Sequence, residues 1–251
     1  MNAITGAVHP TSTWNTDRWT QVGRDHARLL RAALSQAEPG LPVPTTPGWT
    51  FQDLTLHVGR FAEQVTHYLN TRSIVMLPPP PMPDGDPVEY LDHQLTTLDQ
   101  ALSATPANVP VWTLSPAAPD LAWVWHRHAA HELNLRRWEA QAALRTLQPT
   151  ERDLAIDGID ETLTTLLPAK YGTEIRVTVT GSVLVSTTDG PESWQITLTP
   201  GEIPAVRAAM ATDHADAHLT STAADLHYHL RNRTDLDGHG NPALLRAIIV
   251  E

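Results

Sequence analysis

The 251-residue sequence contains no cysteine, which excludes a disulfide scaffold, a cysteine-ligated zinc site and a cysteine nucleophile. It also has no apolar run near the roughly 20 residues that a membrane-spanning helix needs. The amino terminus lacks the basic start and the apolar segment of a signal peptide. We therefore expect a soluble cytoplasmic protein, and any metal site must be built from His, Asp and Glu.

The chain has no excess of positive charge either. Its formal net charge is −11, which argues against nucleic acid or an anionic membrane surface as a partner. The glycine-rich phosphate motifs GxxxxGK[ST] and GxGxxG and the GxSxG motif of α/β-hydrolases are absent. We expect a protein that binds a small-molecule substrate and exists as a monomer or a weak dimer.

The first 150 residues are predicted to form four helices. Apolar residues recur at three- and four-residue spacing in four segments, which favours amphipathic helices. Thr50 and Asp53 have the spacing of a capping box at the start of the second segment. The proline-rich stretch 77–87 is interpreted as an extended spacer. Four such helices predict a four-helix bundle, and their approximate ranges are 17–36, 50–65, 88–102 and 121–143.

The second half has the pattern of an α+β unit. Alternating apolar residues in 175–179, 183–185 and 194–198 predict a short antiparallel sheet of three strands. The stretch 153–167 is predicted to be helical, 204–211 weakly so, and helices are expected over 219–232 and 242–250. His227 and His229 are expected to be solvated. The fold class is therefore α+β, with a helical bundle domain at 1–150 and a small α+β domain at 151–251.

The stretch HRHAAHELNLRRWEAQAA, residues 126–143, carries charge on the side of its helix that should face the core. With about 100° per residue, several apolar residues lie within about 60° of Glu132: Leu121, Trp125, Leu135 and Ala143. Three ionisable residues lie within about 40° of Glu132: His128, Arg136 and Glu139. The opposite side is expected to face solvent, and it carries Arg127, Asn134, Arg137 and Gln141.

Buried charge is costly unless it is paired or bound to a metal. We therefore interpret the arc around Glu132 as a functional site. The alternative is a self-satisfied pair between Glu132 and Arg136, which are four residues apart on one helix face. His57 lies on the flank of the apolar stripe of the second helix, where an interior or rim histidine without a functional role is the alternative to a site residue.

Three motifs occur in order along the chain: VPTTPGWTFQDLTLHVGR at 43–60, HRHAAHELNLRRWEAQAA at 126–143 and TSTAADLHYHLRNR at 220–233. They resemble three motifs of the mycothiol-dependent maleylpyruvate isomerase family, V-P-x-x-P-G-W-x-x-x-D-L-x-x-H-x-G, H-E-x-x-x-H-R-x-D-A and G-x-x-x-D-L-x-L-x-L-W-G-R. The closing segment GNPALLRAI is similar to the usual end of that family. The resemblance implies a DinB-like four-helix bundle followed by a small α+β domain.

The resemblance also implies a divalent metal, usually zinc, held by a His on the second helix and a Glu-x-x-x-His pair on the fourth. His57 and Glu132 fall on the first two ligand positions, but the third is Arg136. A guanidinium is always protonated and has no lone pair for zinc. Glu139 stands where the motif has Asp, and Arg233 matches an arginine that the family uses near the substrate.

Three interpretations follow from the Arg136 change. In the first, Arg136 replaces the metal electrostatically and orients or stabilises an anion. In the second, His128 joins His57 and Glu132 as the third ligand of a metal ion. The third is that the fold serves only as a binding module. We favour the first, with catalytic residues His57, Glu132, Arg136 and Arg233 and substrate-binding residues His128, Glu139 and Trp125.

The resemblance thus implies two cofactors, mycothiol and, where a metal is retained, zinc or another divalent ion that would lower the pKa of the bound thiol. The expected function is that of an isomerase, cyclase or thiol transferase acting on a small anionic or unsaturated organic substrate. The alternative is a non-catalytic protein that binds or sequesters a small ligand on the same fold.

Overall fold

A computed structural model describes residues 14–172 and 175–250. Its N-terminal half contains four long helices, as predicted. The helix α1 packs along α4, and α2 packs along α3. Their bounds are Thr16–Leu34 for α1, Phe51–Thr71 for α2, Pro87–Ala104 for α3 and Trp123–Leu144 for α4.

The start of α2 is fixed by a capping box. Thr50 Oγ1 accepts a hydrogen bond from the backbone N–H of Asp53, and the Asp53 carboxylate accepts one from the backbone N–H of Thr50 at 2.8 Å. These bonds satisfy amide groups that have no partner inside the helix. The predicted capping box is confirmed. The proline-rich segment before α3 has no regular secondary structure over residues 77–84, in line with a spacer.

The C-terminal half combines helices with a five-stranded sheet of order β3-β2-β1-β4-β5. β1 is antiparallel to β2 but parallel to β4. The sheet is therefore mixed, and the prediction of a purely antiparallel sheet is wrong in this respect. The elements are α5 Arg152–Glu161, a π-helical turn Thr162–Leu166, α6 Leu167–Gly172, β1 Gly181–Thr187, β2 Ser193–Leu198, β3 Ala205–Ala208, β4 Ala217–Ser221, α7 Ala223–Leu230, β5 His239–Gly240 and α8 Pro242–Ala247.

Three local predictions in this half are wrong. Residues 175–180 form no strand, although Val177 is buried. The segment expected to be weakly helical contains β3, because pairing with β2 outweighs its local helix propensity. The helix expected from residue 219 begins only at Ala223, because residues up to Ser221 pair with β1 and Thr222 caps the helix.

Two large hydrophobic clusters and one small one form the core, and the small one joins Leu135 and Trp138 of α4 to Tyr228 of α7. One large cluster lies among α1 to α4, and the other lies between α5, α6, α7, α8 and the sheet. The buried residues of the first cluster end at Ala140 and those of the second begin at Ala155, and α4 touches both halves of the chain. Every residue of α4 from Val124 to Gln141 is buried.

The prediction that one side of α4 faces solvent is wrong. The four residues assigned to that side, Arg127, Asn134, Arg137 and Gln141, are all 5% exposed or less. The reason is that α5 packs against this side with carboxylates. Arg127 Nη2 lies 2.9 Å from Asp157 Oδ1 and 3.0 Å from Asp160 Oδ2. The charge of Arg127 is therefore paired across the two halves of the chain, whereas Arg137 donates to the neutral oxygens of Asn134 and Gln141.

His227 is also buried instead of solvated. It lies on α7 with its ring centroid 6.0 Å from that of His131. Gly158 on α5 makes this approach possible, since an added Cβ there would lie 2.4 Å from His227 Cε1. Burial lowers the pKa of His227 to about 3, aided by the nearby His131 and Arg231. His227 is therefore a neutral residue at the junction of α4, α5 and α7.

Among the residues that the structure describes, no helix is long and apolar enough to cross a membrane.

Candidate functional site

Glu132 is the centre of a buried polar network. Its side chain is 6% exposed, and both carboxylate oxygens are engaged. Oε1 accepts a hydrogen bond from Arg136 Nε at 2.7 Å and lies 3.0 Å from His57 Nε2. Oε2 accepts one from Arg231 Nη2 at 3.2 Å. Burial alone would raise the pKa of Glu132, but Arg136, the His57 hydrogen bond and Arg231 hold it well below its usual range. Glu132 is therefore a carboxylate at neutral pH.

Arg136 connects Glu132 to a second buried carboxylate. Arg136 Nη1 donates to the two oxygens of Glu139 at 2.9 and 3.0 Å. Glu139 also accepts hydrogen bonds from Thr46 Oγ1, at 3.1 Å, and from Arg233 Nε. Burial opposes the charge of Arg136, but the two carboxylates outweigh it and raise its pKa above the usual value. The ion pairs thus form one continuous chain.

The network carries more positive than negative charge. Two carboxylates (Glu132 and Glu139) contact three guanidinium groups (Arg136, Arg231 and Arg233). Counting only these carboxylates and guanidinium groups, the formal charge is +1. A surplus of positive charge in a buried site attracts anions.

The first sequence motif folds into a closed loop that covers this network. Val43 N–H donates to Trp49 O at 2.8 Å, and Gly48 takes a φ of +86°, a conformation that favours glycine. The Trp49 ring then lies 4.9 Å from the His57 ring and 5.4 Å from Arg136 Cζ. The His57 side chain is 36% exposed, so the network reaches solvent beside Trp49.

Two of the three guanidinium groups belong to residues at or just after the end of α7. Arg231 is the C-cap residue of α7, and Asn232 takes a left-handed conformation with φ of +56°. The backbone N–H of Arg233 then returns to Tyr228 O at 2.9 Å. This reversal places Arg231 against Glu132 and Arg233 against Glu139. The third motif therefore contributes cations to a site built on α4.

His128 lies one turn before Glu132 on α4, about 6 Å along the helix axis. Its Nδ1 lies 3.0 Å from Glu161 Oε1, and its ring meets the Phe61 ring edge-on at 5.6 Å. Burial alone would raise the pKa of Glu161, but His128, His131 and Arg127 lower it to about 2. His128 and Glu161 thus form a second histidine–carboxylate pair beside the network.

Trp125 lies in the aromatic core and makes no hydrogen bond to this network. Its Nε1 donates to Trp112 O at 2.7 Å, and its ring stacks on Tyr68 with centroids 5.3 Å apart. Its side chain reaches His128 only at the edge of the site, with centroids 6.0 Å apart. The packing of Trp125 is that of a core residue.

The structure brings most of the predicted site residues into one network: His57, Glu132, Arg136, Glu139 and Arg233. Four contributing residues were not predicted: Thr46, Trp49, Glu161 and Arg231. Thr46 and Trp49 lie in the first motif, and Arg231 lies two residues before Arg233 in the third. Nothing in the sequence around Glu161 points to its position.

Within residues 14–172 and 175–250, no group of three or more His, Asp or Glu side chains is arranged to hold a metal ion. A divalent cation at Glu132 would meet Arg136 and Arg231, which lie 2.7 and 3.2 Å from its oxygens. Like charges this close repel strongly in a buried site. His128, the alternative third ligand, is held by Glu161 through Nδ1.

Comparison with known proteins gives two results. Residues 19–141 match the model of the mycothiol maleylpyruvate isomerase N-terminal domain. A crystal structure of the mycothiol-dependent maleylpyruvate isomerase is similar, with 13% identity and a TM-score of 0.51, over 92% of this chain and 94% of that chain. A mutant of that enzyme with one histidine replaced by alanine has the same identity and TM-score, over 87% and 90%. At this identity the two structures show a shared fold. No curated protein matches the chain significantly in sequence.

Proposed function

Because residues 19–141 match the model of the mycothiol maleylpyruvate isomerase N-terminal domain, we propose that the chain is a thiol-dependent isomerase or transferase. Its substrate is a small organic anion with an activated double bond. The main observation that supports this proposal is the buried network, with a formal charge of +1, beside a histidine that reaches solvent. Such a network binds an anion and stabilises negative charge that develops on it.

The residues around Glu132 do not fit a divalent cation, because two guanidinium groups already face its oxygens. In this proposal Arg136 supplies the positive charge that a metal would supply. A guanidinium cannot activate a thiol by coordination, so the protein needs a base. This favours acid–base and electrostatic catalysis by His57, Glu132 and Arg136.

His57 is the proposed base. Glu132 is ionised and accepts the Nε2–H of His57, which leaves the Nδ1 lone pair as the proton acceptor. A thiol supplies the nucleophile in this chemistry. Its S–H proton passes to His57 Nδ1, the sulfur adds to the double bond, and the electron pair moves to the substrate oxygen. Arg136 stabilises that oxygen, and elimination of the thiolate after bond rotation returns the proton to sulfur.

The test is an assay with maleylpyruvate and mycothiol, in which proton NMR follows conversion of the cis double bond to trans. Thiol-dependent turnover is expected in the wild-type protein. His57→Gln and Arg136→Gln should each reduce kcat by about 100-fold or more. Arg207→Gln, which changes an exposed arginine of the second half, is the control and should leave turnover unchanged. Equal rates in all four proteins would contradict the catalytic assignment.

The second candidate is a non-catalytic protein that binds or sequesters a small anion. It is favoured by the closed contact of Glu132 with Arg136 and Arg231, which leaves neither carboxylate oxygen without a partner. This candidate predicts that maleate binds and is recovered unchanged, and that no thiol adduct forms. Turnover of any substrate that depends on His57 would contradict it.

We also propose that the two halves of the chain, residues 1–150 and 151–251, are its two domains. The two large hydrophobic clusters, one in each half, support this division.

A further inference from the structure

We propose that Arg231 is the residue that binds the carboxylate of the ligand, a role for which the sequence favours Arg233. This inference rests on the proposed function and names the residue that holds its anion. Arg231 is 4% exposed. Two of its three guanidinium nitrogens, Nε and Nη1, are buried and have no hydrogen-bond partner among the described residues. A buried donor without a partner destabilises the folded protein, because its lost hydrogen bonds to water are not replaced. A ligand that supplies an acceptor removes this cost.

The other two guanidinium groups of the network have fewer nitrogens without a partner than Arg231. Arg136 binds Glu132 and Glu139, and its guanidinium lies under Trp49. Arg233 binds Glu139 through Nε, and its Nη1 donates to the backbone oxygen of Arg231 at 2.7 Å. Arg136 cannot donate to a new acceptor without breaking an ion pair with a buried carboxylate, so it acts on a substrate oxygen through its charge. Arg233 has only Nη2 without a partner among the described residues. Arg231 can take a new acceptor, because most of its donors are free.

Arg231 is also the group held least tightly by Glu132. Its contact is 3.2 Å long, whereas those of Arg136 and His57 are 2.7 and 3.0 Å. The contact between Arg231 and Glu132 uses only one guanidinium nitrogen, Nη2. Because His57 and Arg231 contact opposite oxygens of the same carboxylate, a ligand lying against His57 is close to Arg231. The ligand reaches Arg231 from the side where His57 meets solvent.

The chemistry of the site selects a carboxylate. The terminal nitrogens of a guanidinium, Nη1 and Nη2, lie in one plane with spacing that matches the two oxygens of a carboxylate. In Arg231, Nη1 has no partner, and Nη2 uses one of its two N–H groups on Glu132. One carboxylate would also cancel the formal surplus of +1 in the network. The occupant is therefore a small organic acid whose carboxylate contacts Arg231 while its remaining atoms lie toward His57.

The test measures binding of maleate by isothermal titration calorimetry. Arg231→Gln should weaken binding about 10- to 100-fold, since one charge-assisted hydrogen-bonded pair is lost. Arg231→Lys keeps the charge and should weaken it less. The diamide of maleic acid, which has no charge, should bind the wild-type protein at least about 10-fold more weakly than maleate. Arg207→Gln is the matched control and should bind maleate like the wild type.

Thermal unfolding without ligand shows whether each variant is folded, and Arg231→Lys provides a folded case if Arg231→Gln is not. This inference is wrong if Arg231→Lys binds maleate as tightly as the wild type while Arg233→Gln binds it more weakly. The proposed function would still stand in that case. If inorganic phosphate binds more tightly than maleate, the inference that the ligand is a carboxylate is wrong. A wild-type protein that binds no maleate would contradict the proposed function itself.

Discussion

Arg136 donates from Nε to Glu132 Oε1 over 2.7 Å, one turn along the same buried helix. The family resemblance implies a metal-binding histidine at this position. Under the proposed function, an ion pair stands where the family resemblance implies a coordinate bond, and the carboxylate stays on the face of α4 that meets His57. This relationship makes the consequences of a single substitution predictable.

Arg136→His is expected to create a zinc site. The change removes one guanidinium from Glu132 and adds an imidazole one turn away, on the side where His57 already lies 3.0 Å from the carboxylate. Two His and one Glu are a common zinc ligand set. Elemental analysis should find about one zinc per chain in R136H and much less in the wild type. The double variant E132Q/R136H lacks the carboxylate ligand and should lose the metal. Zinc at one per chain in the wild type would contradict the proposed replacement of the metal.

Glu132→Ala is expected to destabilise the protein strongly. It leaves Arg136 and Arg231 buried beside each other without the carboxylate that both contact. Removing one partner of a buried ion pair costs about 3–5 kcal/mol. Urea unfolding at neutral pH measures this loss. Asp213→Ala removes the partner of the exposed Arg207 and is the control, with an expected loss of about 1 kcal/mol or less. Similar losses in both variants would show that the Glu132 contacts contribute little.

Glu161 is expected to make stability depend on acid pH. Its pKa in the folded protein is about 2, below the ordinary value of 4.5. Its contribution is therefore fully present above about pH 4.5 and is lost as the pH falls toward about 2. The difference corresponds to about 3 kcal/mol. Urea unfolding of the wild type and Glu161→Gln, from neutral pH down to about pH 3, should show their stability difference shrinking over this range. A difference that stays constant with pH would contradict the pairing of Glu161 with His128. Glu151→Gln, at an exposed position, should parallel the wild type.

Gly158→Ala is expected to disturb the junction of α4, α5 and α7. The added Cβ would lie 2.4 Å from His227 Cε1 and 3.1 Å from His131 Nδ1. Overpacking a buried site costs about 1–3 kcal/mol. The matched control is Gly40→Ala, where nothing lies within 4 Å of the added Cβ and φ is not in the left-handed region. Thermal unfolding should show a lower Tm for G158A and little change for G40A. Equal Tm values would mean that His227 moves aside freely.

The sequence allowed the site on α4 to be predicted because helical spacing is local. Glu132, Arg136 and Glu139 are at most seven residues apart, so their shared face follows from helix geometry alone. The capping box at Thr50 is local for the same reason. The contribution of Arg231 could not be predicted in this way, because it lies 99 residues from Glu132 and depends on how α7 packs on α4.

The main error in the sequence interpretation has the same origin. Arg127 looked solvated because its helix face carries other polar residues. Its partners, Asp157 and Asp160, lie about 30 residues away on α5, and polarity alone does not distinguish a solvated face from one that pairs with charges elsewhere. The parallel pairing of β1 with β4 was missed because alternation identifies strands but leaves open which strands pair.

The burial of α4 on all sides has a consequence for folding. Arg127 and His131 on this helix both bind Asp157 of the second half, so the first half alone would leave them without that carboxylate. The second half alone would in turn leave Asp157 and Asp160 without Arg127, which contacts both carboxylates. Each half thus supplies ion-pair partners to the other. We expect the chain to unfold in one transition, and the boundary at residue 150 to separate two hydrophobic cores without separating two independently stable proteins.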